Sequence, residues 1–292
     1  EEEAARKAAE EQARAAAEEE EARKAVERIK KNYRRNGNNN PPLYIAAEKG
    51  RADVVGLLLD HGGVDPNQGY DGATPLFIAA QTGHADVVAL LLAHPGVDPS
   101  QANNDGATPL YVAARNGHAD VVTTLLAAPG GLGKREEAIQ STARALFIAA
   151  AKGRVNVVAL LLAHPGVDPS KGANDGATPL FIAAQQGHTD VVALLLPAPG
   201  VDPSQANNDG ATPLFIAAQK GHKGVVALLL AHPGVDPGVD PSQATTRGAT
   251  PLIVAAQKGH ADVVALLLPA PGVKPNQANN DGATPLIVAA QK

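Results

Sequence analysis

Along most of the chain, apolar residues fall in two short bursts separated by a polar turn, and the pair of bursts then recurs. In DGATPLFIAAQTGHADVVALLLAHPGVDPSQANN, residues 71–104, the first burst is Leu76, Phe77, Ile78, Ala79 and Ala80. The second is Val87, Val88, Leu90, Leu91 and Leu92. Thr74 followed by Pro75 is a helix start, because a threonine hydroxyl caps free N–H groups and proline suits the first helical position. Gly83 ends that helix, His84 to Asp86 turn the chain into a second one, and Pro95 stops it. Two short antiparallel helices are predicted, with apolar residues on both sides of a flat layer. Gly96–Asn104 is a polar return, and Asn104-Asp105-Gly106 is a tight-turn sequence that predicts a hairpin-like finger.

Aligning on the leucine of the TPL triplet gives Leu43, Leu76, Leu110, Leu146, Leu180, Leu214, Leu252 and Leu286, spaced 33, 34, 36, 34, 34, 38 and 34 residues. A period in the thirties marks a solenoid, in which each unit covers its neighbour's apolar face. The copies run from about Pro41 to Lys292. Residues 1–36 differ in kind, with ten alanines among Glu, Arg and Lys and no Gly or Pro. They predict a long charged helix, supported by acid-first pairs four apart such as Glu19 with Arg23, Glu20 with Lys24 and Glu27 with Lys31. Its narrow apolar stripe, Val26, Ile29 and Tyr33, suits docking on the first unit; an alternative is packing on another chain. NGNNNPP then breaks the helix.

The unit resembles the ankyrin repeat, with TP-L, AA, GH, VV and LL elements recurring together over some six-sevenths of the chain. The resemblance implies an all-α solenoid of antiparallel helix pairs with finger loops. Residues 37–292 would hold seven full units and a terminal half unit. It also implies a concave face, made of finger tips and first-helix ends, that binds another protein. The histidine expected after TPL is replaced by Tyr44, Phe77, Tyr111, Phe147, Phe181, Phe215, Ile253 and Ile287, exchanging a polar network for apolar packing.

Composition narrows the partners. A net charge of -5 and a pI near 6.0 disfavour nucleic acid and anionic membranes, leaving a protein as the expected partner. The chain lacks cysteine, so neither disulfides nor thiolate metal sites arise. No apolar run approaches the roughly 20 residues needed to span a bilayer, and the charged amino terminus is unlike a signal peptide, so a cytoplasmic location is the default.

Candidate chemistry is sparse. His84, His118, His188, His222 and His260 occupy one repeat position, and His94, His164 and His232 another. Neighbouring units packed roughly 8 to 10 Å apart cannot share the short ligand bonds of one zinc, so these histidines read as structural groups at helix ends. PGGLGKR fails as a phosphate loop, with Ala128 in place of the first glycine and Arg135 in place of Ser or Thr. QANNDG fails as a calcium loop, with Val112 where a bidentate glutamate belongs. No cofactor, metal or catalytic constellation is expected.

Departures from the internal consensus locate the candidate binding residues. The tips and helix ends offer Asp71, Gln81, Asn104 and Asp105, and Tyr70 breaks an Asn-rich tip row, with Arg115 expected a unit or so away. Lys134, Arg135, Arg144, Lys152 and Arg154 form a basic cluster where GGLGKREEAIQSTARAL replaces the DGATP finger. The helix there should be lengthened, or preceded by an extra one. Before Leu252, GVDP is duplicated and Arg247 stands where Asp is usual. An alternative function is head-to-tail self-assembly, through Val26, Ile29 and Tyr33 at one end and Leu286, Ile287 and Val288 at the other, where no second helix follows.

Overall fold

The computed structural model describes residues 2–35, 40–61, 63–128, 135–232 and 239–291. Among these, sixteen helices are present and no strand. Two compact units divide the chain, residues 1–113 with 120–138, and residues 114–119 with 139–292.

The first unit opens on α1 (Glu2–Arg35), followed by α2 (Pro42–Glu48), α3 (Ala52–His61), α4 (Pro75–Thr82) and α5 (Ala85–Ala93). Helix α1 carries the expected Glu19–Arg23 and Glu20–Lys24 pairs at 2.9 and 3.4 Å, while Glu27 pairs with Lys30, three residues on, at 3.2 Å. Its carboxyl-terminal part packs on α3 and α2, with Val26 only 1% exposed and Ile29 half-buried. The side chain of Tyr33 lies outside the described residues. First helices pack on first helices (α2 on α4) and second on second (α3 on α5), giving two layers.

Helices α6 (Pro109–Asn116) and α7 (Ala119–Leu126) form the third pair, and α6 contributes residues to both units. The fourth begins with α8 (Arg135–Ala151), a single lengthened helix of 17 residues, followed by α9 (Val155–Ala163). In the second unit α10 (Pro179–Gln186), α12 (Pro213–Lys220), α14 (Pro251–Lys258) and α16 (Pro285–Ala290) stack in one row. Helices α9, α11 (Thr189–Leu195), α13 (Lys223–Ala231) and α15 (Ala261–Leu267) form the other. Thr and Pro begin the first helices α4, α6, α10, α12, α14 and α16 as the sequence predicts, whereas α2 follows Pro41 and α8 begins at Arg135. Thr74 Oγ1 accepts from the Phe77 N–H at 3.1 Å, and Thr178, Thr212, Thr250 and Thr284 do the same for residues three further on.

Leucine supplies the shared core. The TPL leucines from Leu43 to Leu252 and the second-helix leucines Leu58, Leu91, Leu125, Leu161, Leu195, Leu229 and Leu267 are essentially buried. The residue after TPL is buried in Tyr44, Phe77, Phe181, Phe215 and Ile253, so this position packs rather than bonding through a polar ring. Each buried Leu or Phe contributes about 1.5–3 kcal/mol, so apolar stacking supplies most of the cohesion between neighbours.

Register between neighbours is set by a polar contact. The first helix of each repeat ends on carbonyls that have no partner in the helix itself. The next repeat supplies one: the ring of His84 donates from Nε2 to Glu48 O at 3.2 Å, and His188, His222 and His260 do so to Ala151, Gln185 and Gln219 O at 3.2, 3.0 and 3.1 Å. Since a carbonyl can only accept, Nε2 carries the proton. The ring reaches that carbonyl by lying over the glycine that closes the helix. Gly187 has φ +78°, and a Cβ there would stand 2.6 Å from His222 Nδ1. Gly50, Gly153 and Gly221 sit the same way under His84, His188 and His260. One non-histidine copy conforms: Arg154 holds the histidine position and its Nε donates to Arg115 O at 3.1 Å.

Gly200, with φ +84° and no neighbour near a Cβ, separates backbone strain from ring clearance. Gly200→Ala is expected to cost about 1–2 kcal/mol, the price of a left-handed alanine. Gly187→Ala should cost about 1 kcal/mol more, because the His222 hydrogen bond is lost as well. In urea unfolding, Gly187→Ala combined with His222→Ala should be less than additive; an additive pair removes ring clearance as the reason for glycine.

Candidate functional site

The finger tips are of two kinds. In the common kind, Asn103 is a turn-former. Its Oδ1 accepts from the N–H groups of Asp105 and Ala107 at 3.1 and 2.9 Å, closing the loop on itself. Asn207 and Asn279 repeat this pattern. Where Ala173 replaces the asparagine, the Asp175 carboxylate takes over and accepts from the Ala177 N–H at 3.1 Å.

The next asparagine braces one tip against another. Asn208 donates from its backbone N–H to Asp175 O at 2.9 Å and from Nδ2 to Asn174 O at 3.2 Å. Thr246 bonds Asp209 O through both N–H and hydroxyl, and the Asn280 N–H donates to Arg247 O at 3.1 Å. Arg247 is therefore held through its backbone while its residue remains exposed. The duplicated GVDP segment falls partly on residues 233–238, outside the described residues.

The first finger is the other kind. Tyr70 and Ala73 exchange both backbone hydrogen bonds at 3.0 Å, one residue tighter than the Asn103–Ala107 pairing of the next finger. The loop between them is Asp71-Gly72, with φ +51° and +75°, the positive angles of a type I′ turn. Among the described residues Asp71 is the only non-glycine with positive φ, a conformation that aspartate tolerates better than most side chains. Its carboxylate accepts from Asn104 Nδ2 at 3.3 Å.

Tyr70 is 53% exposed, and its ring meets that of Tyr44 at 6.3 Å between centroids and 62° between planes, an edge-to-face pair. Tyr44 stands on the first turn of α2, four residues before Glu48, which places both on one side of the helix. Burial above all, then the negative charges of Glu48, Tyr70 and Asp71, raises the Tyr44 pKa above its ordinary value of 10.0. Sequence reasoning missed Tyr44 as the ring partner of Tyr70. The signal was present, because Tyr44 fills the position after the first TPL-type leucine and Tyr70 tops the following finger.

Other predicted residues are distributed as follows. Gln81 is exposed at the end of α4, and Asp105 is exposed on its finger. Arg115 is exposed at the end of α6 and belongs to the second unit, whereas Tyr70 belongs to the first. Arg144 and Lys152 are exposed on or just after α8, and Arg154 has its Nε engaged by Arg115 O. Lys134 and the side chain of Arg135 lie outside the described residues. Leu286 and Ile287 are 78% and 46% exposed, but Val288 is 7% exposed: α16 packs on α14, so one side of this last helix is covered within the chain. No group of three or more His, Asp or Glu suited to a metal ion occurs among the described residues, and none of their helices is long and apolar enough to cross a membrane.

A family model described as ankyrin repeats in three copies matches residues 13–103, 67–132, 95–173 and 146–240, and one described as ankyrin repeats in many copies matches residues 236–289. No curated protein matches the chain.

Ionisation of Tyr44 links this corner to stability. A pKa raised by folding favours the neutral phenol in the folded chain, so its contribution is complete below pH 10 and is lost as pH rises through the folded value. A spectrophotometric titration should show a late phenol ionisation from Tyr44, and Tyr44→Phe should remove that late step. If the late step persists in Tyr44→Phe, another tyrosine is responsible.

Proposed function

The chain belongs to the ankyrin-repeat family, and from that premise we propose that it is a non-catalytic scaffold that binds a partner protein on its finger face. Ankyrin repeats are protein–protein interaction modules, and their proteins are in general binding rather than catalytic. The observation that carries the finer reading is the bracing of exposed tips by repeat-to-repeat hydrogen bonds, as between Asn208 and Asp175. A face ordered before it meets a ligand avoids the ordering cost that a flexible loop incurs on binding.

The recurring polar groups support a binding role in a second way. Thr caps a helix, His and Arg154 bond the preceding repeat, Asn forms or braces a finger, and Asp98 and Asp168 each close a turn on the serine two residues on. These groups are committed to structure, which leaves chemistry to the departures from the repeat. In this reading residues 1–36 cap the array and residues 37–292 are the binding domain. Tyr70, Asp71, Gln81, Asn104, Asp105, Arg115 and Arg247, with the basic residues around α8, supply the contacts that distinguish one partner from another.

A photo-reactive phenylalanine analogue at Gln186, exposed at the end of α10, tests the face against one at Ala193, exposed on the second helix α11. The Gln186 probe is expected to cross-link a discrete partner that the Ala193 probe does not. Equal capture at both positions, or capture only at Ala193, rejects the finger face.

The exposure of Leu286 and Ile287 favours a second reading, in which copies associate through α16. At the other end, Val26 and Ile29 are engaged on the chain's own first repeat, which makes α16 the stronger candidate of the two. Light scattering over a concentration series should then show mass rising with concentration and falling back in Leu286→Glu. A monomer mass throughout ends this second reading.

A further inference from the structure

We propose that the first finger and α2 form a receiving corner for an arginine side chain of the partner, built from Tyr70 and Tyr44 with the carboxylates of Asp71 and Glu48. The proposal rests on the finger-face reading and names the chemistry that one part of that face selects.

Three features point to a cation. An exposed aromatic ring carries negative charge density on its face and attracts ammonium or guanidinium groups, by about 0.5–1 kcal/mol at an exposed site. Tyr70 presents such a ring, 53% exposed, with its edge-to-face partner, the nearly buried Tyr44, at 6.3 Å. Two carboxylates lie near this ring pair, each close enough to act electrostatically on Tyr44. Asp71 follows Tyr70 at the tip, and Glu48 lies one helical turn beyond Tyr44 on the same side of α2.

Neither carboxylate is strongly committed elsewhere. Asp71 accepts one long bond from a neutral amide, Asn104 Nδ2, at 3.3 Å. Glu48 pairs with Lys49 at 3.5 Å, and both side chains are more than a third exposed, so the pair is worth little and yields to a better-placed cation. An anion would meet repulsion here, and a purely apolar group would leave two carboxylates desolvated without a partner. Arginine fits better than lysine, since a planar guanidinium stacks on a ring while its N–H fork bonds a carboxylate.

The turn makes the charge removable without loss of shape. Asn-Gly suits a type I′ loop as well as Asp-Gly does, so Asp71→Asn keeps the finger and deletes the charge. Tyr70→Leu keeps apolar bulk and deletes the ring.

The probe is the tripeptide acetyl-Gly-Arg-Gly-amide, titrated into the full chain while the tyrosine ring protons are followed by NMR. Signals are assigned by single Tyr→Phe variants, and the control peptide carries neutral citrulline in place of arginine. Saturable shifts of the Tyr44 and Tyr70 rings are expected with arginine and not with citrulline. Tyr70→Leu should weaken the response about threefold, in line with one exposed cation–π contact. Asp71→Asn should weaken it by about twofold to fivefold, in line with one exposed ion pair. An equal response to citrulline, absence of ring shifts, or unchanged affinity in both variants overturns the proposal. Because the probe needs no partner protein, such a failure leaves cross-linking at Gln186, and with it the finger-face reading, standing on its own result.

Discussion

Each repeat leaves two debts at its edge, an apolar layer on its side and unpaired carbonyls at the end of its first helix, and the next repeat settles both. The magnitudes divide the labour. Burial of leucines such as Leu180, Leu214 and Leu252 supplies about 1.5–3 kcal/mol apiece, whereas a hydrogen bond such as His222 to Gln185 contributes about 1 kcal/mol net. Apolar stacking therefore decides that neighbours associate. It is non-directional, however, and would tolerate sliding. The imidazole–carbonyl bond is directional, and the glycine beneath the ring admits it in one position, so the weaker interaction fixes where the stronger one acts.

The same bond explains why some of the architecture was legible in the sequence and some was not. Helix pairs, their starts at Thr-Pro and their ends at glycine follow from local pattern and period alone, and Thr178, Pro179 and Gly187 stand where that pattern puts them. Arg154 is a different case. Read by charge, it joins Arg144 and Lys152 in a basic cluster; read by column, it follows Gly153 as His188 follows Gly187, and its guanidinium does the work of the imidazole. The information was in the alignment of the repeats, and charge obscured it. Arg51 fills the same column in the first repeat, where it pairs with Asp53 at 3.2 Å.

The first finger shows what a one-dimensional pattern leaves out. DGATP is shared by most fingers, yet in the first the backbone pairing begins at Tyr70, one residue nearer the loop than at Asn103 in the next. Gly69 stands where the later copy has Asn103, and the chain there adopts the tighter Asp71-Gly72 turn, whereas Ala173, which also lacks the asparagine, keeps the wider pairing to Ala177. The tighter turn brings Tyr70 onto Tyr44. The repeat period does not announce the contact between Tyr44 and Tyr70, because it depends on a turn that the other fingers do not share.

Repetition also limits what a faithful array can recognise. In the second unit the tips read Asp175, Asp209, Arg247 and Asp281, all exposed and joined in succession by backbone bonds. A row of identical acids would let a cationic ligand bind equally well one repeat to either side, because every shift restores the same contacts. Arg247 breaks that equivalence. For a ligand spanning the row, one register places a cation against Arg247, and like charges in contact cost affinity even where the remaining pairs are favourable. Asn280 still bonds the backbone carbonyl of this residue, so the change of sign leaves the tip-to-tip brace in place. Specificity on such a face arises from a substitution at a position whose side chain the fold does not use, and the finger tip is such a position because its structural bonds are made by the backbone and by the asparagines beside it.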